Sequence, residues 1–103
     1  MTLEKLITGI REMGLDVAYG RFAEGDVPKF PYVIIQGAGS SPFIADGIVY
    51  HESEDMTLEL YCEKKDPVIE KRISDFLTDN ELLYEKDEIF DEKEKLILIK
   101  YEI

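Results

Sequence analysis

Tryptophan is absent from this chain, histidine and cysteine occur once each, and no apolar run approaches the ~20 residues that a membrane-crossing helix needs. Each scarcity removes a class of function. The lone cysteine, Cys62, cannot close an intrachain disulfide, which points to synthesis in a reducing, intracellular compartment. Cys62 also continues the alternation Met56, Leu58, Leu60, so it reads as a small buried hydrophobe and not as a nucleophile. Serine or cysteine catalysis would need the single histidine, His51, beside a nucleophile and an orienting acid. Ser53 is near it in sequence, but no nucleophile elbow surrounds Ser53, and His51 reads as a surface residue ending an acidic strand. One histidine and one cysteine are too few soft ligands for a zinc site.

Basic residues are scarce as well. Twelve lysines and arginines stand against 23 acids, for a formal net charge of -11. Binding to DNA, RNA or anionic lipid is driven by release of cations and needs a basic surface, so this balance opposes it. The N-terminal stretch MTLEKLITGIREMG is interrupted by Glu4, Lys5, Arg11 and Glu12 and lacks a small-residue cleavage site, so it is not expected to be a signal peptide.

The glycines and acids that are present do not complete a familiar ligand loop. GAGSSP, residues 37–42, starts like a dinucleotide-binding turn. Pro42 takes the place of the third glycine, an apolar segment follows where a helix should start, and no lysine supplies a P-loop. Asp87, Glu88, Asp91 and Glu92 lack the central glycine of a calcium-binding EF-hand loop. No catalytic residue, cofactor or metal site is expected.

What the chain has in quantity is patterned hydrophobicity. Leu3, Leu6, Ile7, Ile10 and Met13 recur at helical period behind Thr2, a good N-cap, and Gly14 fits the left-handed stop with Leu15 folding back. Asp16–Phe22 is a weak strand candidate. Tyr32–Gln36 begins a strand just after Pro31, and its unbroken apolar run suggests burial on both faces and a central position. Asp55–Glu63 alternates strictly, with Thr57, Glu59, Tyr61 and Glu63 on the wet side. Asp66-Pro67 starts a second helix with Val68, Ile69, Ile73, Phe76 and Leu77 on its apolar face, and Asn80 ends it. Leu82–Phe90 and Leu96–Ile103 form a closing hairpin around Asp91–Glu94, its last strand expected to start heavily buried. The fold class expected is α+β: a mainly antiparallel sheet with both helices on one face and a projecting hairpin or loop, all in one domain of 103 residues.

The projection is expected to be a flexible arm at about residues 37–50. Asp46-Gly47 between apolar runs is a hairpin-turn signal. Phe43, Ile44, Ile48 and Tyr50 give the arm apolar area that either packs on the domain's own sheet or enters a neighbour, which makes them the expected assembly interface. The acidic excess gathers in the closing hairpin. From Glu81 to Glu94 there are seven acids and two bases, and Glu85, Asp87, Glu88, Asp91, Glu92 and Glu94 form the expected acidic surface or channel lining.

The opening helix ending MGLDVAYGRF, the passage PYVIIQGAGSSPFIADGIVY, the strand-to-helix step LELYCEKKDPVIEKRI and LLYEK before an acidic hairpin together resemble the small head–tail connector and tail-completion proteins of tailed phages and prophages of Gram-positive bacteria. The resemblance covers nearly the full length and is one of layout and local wording. It implies a non-enzymatic structural protein that joins a ring of its own copies and contacts other virion proteins, in the host cytoplasm during assembly and then in the virion. It implies no direct DNA binding and no membrane association. A negative lumen would suit passing DNA, since attraction to phosphate would stall it. The alternative is an acidic DNA mimic or inhibitor that occupies a basic partner. A small-molecule regulatory domain would need an apolar pocket that nothing in the sequence indicates.

Overall fold

The computed structural model describes residues 2–37 and 56–103. Its elements begin and end where side chains can satisfy the backbone. Helix α1, Leu3–Glu12, starts at Thr2, whose hydroxyl accepts from the Lys5 amide at 3.1 Å. It stops at Gly14, which adopts φ +87°, a conformation costly for any residue with a Cβ. Helix α2, Pro67–Asp79, starts at Asp66, whose carboxylate accepts from the Ile69 amide at 3.2 Å. Asn80 caps its other end and sends its side-chain amide back to the Phe76 carbonyl.

Five strands are described: β1 Asp16–Tyr19, β2 Tyr32–Gly37, β3 Met56–Cys62, β4 Glu85–Asp91 and β5 Leu96–Glu102. They form one sheet in the order β1-β2-β3-β5-β4. All neighbours are antiparallel except β1 and β2, which run parallel. The α+β class and the mainly antiparallel sheet therefore hold. The weak strand at Asp16 is a short edge strand.

Both helices cover one face. Val33 sits opposite Leu60, which sits opposite Ile99; Ile35, Leu58 and Tyr101 make the next row. These six side chains are fully buried beneath Leu6 and Ile10 of α1 and Ile73 and Leu77 of α2. The helices meet where the Phe76 ring rests on Gly9, a position where any Cβ would collide with the ring. Arg72 closes the same seam by donating to the Met13 carbonyl at 3.3 Å.

Three local expectations are corrected. β2 is an interior strand, but only Val33 and Ile35 are buried; Tyr32 and Ile34 face the side that neither helix covers. β5 is fully buried only in its second half, at Ile99 and Tyr101; in its first half alternation turns Leu96 and Leu98 to the other face, and Ile97 packs against the core only in part. Val68, expected on the apolar face of α2, is 69% exposed, since that face is carried by Ile69, Ile73, Phe76 and Leu77.

Candidate functional site

Phe43, Ile44, Ile48 and Tyr50, the expected assembly residues, lie outside the described residues, as does His51. The acidic hairpin is described in full, and it splits the expected acids. Strand alternation sends Glu85, Asp87 and Asp91 to the open face of the sheet and Glu88 to the helix side. Glu92 and Glu94 belong to the turn, which Asp91 holds by accepting from the Lys93 and Glu94 amides at 2.9 and 3.0 Å. No residue of β4 is fully buried, and Ile89 and Phe90 are 43% and 61% exposed.

On the helix side, β4 is tied down by an ionic cluster centred on Glu70. This carboxylate, in the first turn of α2, is 4% exposed. Lys65 donates to its Oε1 at 3.0 Å and lies 2.8 Å from Oε2. Oε2 accepts no hydrogen bond, so that second approach is an ion contact alone. Lys86 of β4 is 2.9 Å from Oε1, and Lys65 also donates to Glu88 of β4 at 2.6 Å. Burial pushes the Glu70 carboxyl up, but the hydrogen bonds and charges of Lys65 and Lys86 outweigh that and hold it below the ordinary range. The bonds to Glu70 and Glu88 hold Lys65 above the ordinary lysine range. Beneath the cluster the Tyr101 hydroxyl donates to the Glu70 carbonyl at 3.1 Å. The arrangement joins a loop, a helix and the outermost strand.

The open face carries a ladder of rings. Phe30 stacks on Tyr32 with centroids 5.5 Å apart, Tyr32 stacks on Tyr61 at 5.1 Å, and Phe22 meets Tyr32 edge-on at 5.5 Å. Register continues the row: Tyr61 is opposite Leu98, and Leu98 is opposite Ile89. None of the row packs against the helix-side core. Tyr61 donates to the Glu59 carboxylate at 3.0 Å. Partial burial and the nearby charge of Glu94 raise the Tyr32 phenol, and burial and Glu59 raise that of Tyr61, so both stay protonated at neutral pH.

Cys62 is buried at 2% exposure, and burial, with the charges of Asp66 and Glu70, pushes its thiol up to about 11. It is a protonated core residue, as the alternation of β3 implied. A shallow depression of about 280 Å³ opens beside it, lined by Phe30, Pro31, Cys62 and residues 63–66. Among the described residues no three histidine, cysteine, aspartate or glutamate side chains come together as metal ligands. No helix among them is long and apolar enough to cross a membrane.

Sequence reasoning did not find Glu70, Lys65, Lys86 or the ring ladder. Helical spacing puts Glu70 only one position from the Ile69 face, a signal too common to single it out. The ladder depends on which residue of β2 faces which of β3, and that requires the register. Comparison with protein-family models, with characterised proteins and with solved structures finds no match.

Proposed function

We propose that this chain is a non-enzymatic structural protein of a phage or prophage, assembling as a ring at the head–tail junction or at the end of the tail tube. The reading rests on the full-length resemblance in layout described above. The observation that carries it furthest is the outer strand of the closing hairpin: β4 is rich in acids and contributes no fully buried side chain. Such a hairpin fits a wall that passing DNA approaches without adhering. The partners are further copies of the chain and adjoining virion proteins, met in the host cytoplasm and kept in the virion. The arm at residues 37–50 is the assembly element, and no cofactor takes part.

The test is assembly of the purified full chain, measured by mass photometry and negative-stain microscopy. Closed rings are expected, and Ile44→Asp is expected to reduce them to monomers with an unchanged circular dichroism spectrum. A titration with random duplex DNA at physiological salt is expected to show no binding. A chain that stays monomeric at every concentration and instead blocks a basic nucleic-acid-binding protein would replace this reading with that of an acidic mimic.

A further inference from the structure

Among the described residues, both helices lie on one face of the sheet and no element covers the other. Here that face is built for contact. The row Tyr32, Tyr61, Leu98 and Ile89 crosses four strands, with Phe22 and Phe30 extending it beyond Tyr32. At ~4.8 Å between strands the four-residue core of the row is about 14 Å long, and the two phenylalanines bring it to about 20 Å. That is the length of a helix of about 13 residues at 1.5 Å rise each.

Charge decides what such a helix must carry. Two residues along the strands on one side of the row, register sets Glu59 and Asp87 on this face, with Lys100 between them as the one base of that row. On the other side stand Asp91 and the turn residue Glu94, whose charge is felt at Tyr32. An apolar stripe seated on the row would therefore have carboxylates along both flanks. A second copy of this chain is a poor occupant. It brings its own net charge of -11 and the same acids, which would meet their equivalents.

We propose that the open face seats a basic amphipathic helix of another protein, its apolar stripe on the ring ladder and its lysines and arginines paired with the flanking acids. The helix would make the third layer of an α/β/α stack, with the side chains of the row as its anchors. The inference does not depend on ring formation, and it holds for the chain as a monomer.

The probes are two fluorescein-labelled peptides of about 16 residues, long enough to span the row. Both carry the same leucine stripe at helical period, flanked by lysine and arginine in one and by glutamate in the other. Anisotropy with the full-length chain is expected to show saturable binding of the basic peptide and none of the acidic one. The Tyr32 and Tyr61 ring proton signals should shift on binding. Ile89→Lys, at an exposed position that the fold does not need, should weaken the basic peptide at least tenfold, as should Tyr61→Lys if that variant keeps its circular dichroism spectrum. Phe90→Lys, on the helix side of the same strand, should leave binding unchanged. The proposal is overturned if the basic peptide fails to bind, if it binds the Ile89→Lys protein as tightly as the wild type, or if the acidic peptide binds equally well. Sedimentation that finds a wild-type dimer split by Ile89→Lys would give the face to a second copy instead.

Discussion

The two faces of this sheet are made from the same strands, yet they behave as different materials. Toward the helices, Val33, Ile35, Leu58, Leu60, Ile99 and Tyr101 are all at 0% exposure. On the far side Tyr32, Ile34, Tyr61 and Leu98 are only half-buried and share the surface with Glu59, Asp87 and Lys100. The buried face supplies stability, because large side chains there lose all contact with water. On the open face the rings are ordered by one another, and among the described residues no element packs over them.

The comparison can be broken by substitution. Leu60→Ala, on the buried face, should cost about 2–5 kcal/mol in chemical denaturation, whereas Tyr61→Ala, the next residue on the other face, should cost less than about half as much. Equal losses would mean that the open face is core. Glu70→Gln should cost about 2 kcal/mol, since it removes charge-assisted bonds from a carboxylate out of reach of water. That loss also has a pH signature. A carboxyl held below its ordinary value of 4.5 gives stability that is present above about that pH and is lost as pH falls through the lower, folded value. The gap between wild type and Glu70→Gln, measured by thermal melts from pH 7 down to pH 3, should therefore close on the acid side; a gap of constant size would show that the charge of Glu70 is not what matters. Gly9→Ala should cost about 1 kcal/mol or more, with the displaced Phe76 ring outweighing alanine's better helix propensity. The smallest effect is expected from Ile89→Ser, within about 0.5 kcal/mol, because a 43% exposed residue of an outer strand has little burial to lose.

Legibility in the sequence followed the range of the interaction. Thr2, Gly14, Asp66 and Asn80 mark helix ends through bonds to residues within four positions, and all four were readable. The alternation of β3 showed its buried side for the same reason, and the closing hairpin needed only its turn. The parallel pairing of β1 with β2 was not readable, because it joins segments that no short turn connects. The unbroken apolar run of β2 misled in part: the strand is central, as expected, but the run reflects a row of aromatic and aliphatic contacts on the face away from the helices, where full burial was expected. The Glu70 cluster draws Lys65 and Lys86 from opposite ends of the helix-to-strand passage. Its pairing could be seen only once α2 and β4 lay side by side.

The outermost strand has a further consequence in time. β4 holds to β5 by its backbone ladder and to the body of the domain by the salt-sensitive contacts of Lys65 and Lys86. It can therefore peel away while the buried rows stay closed, as a unit of local opening distinct from global unfolding. Its amide protons should trade with deuterium well before those of β3, and faster still as ionic strength rises. What such an opening lays bare is the long edge of β5, so this ionic clasp governs how often the sheet offers a place for one more strand.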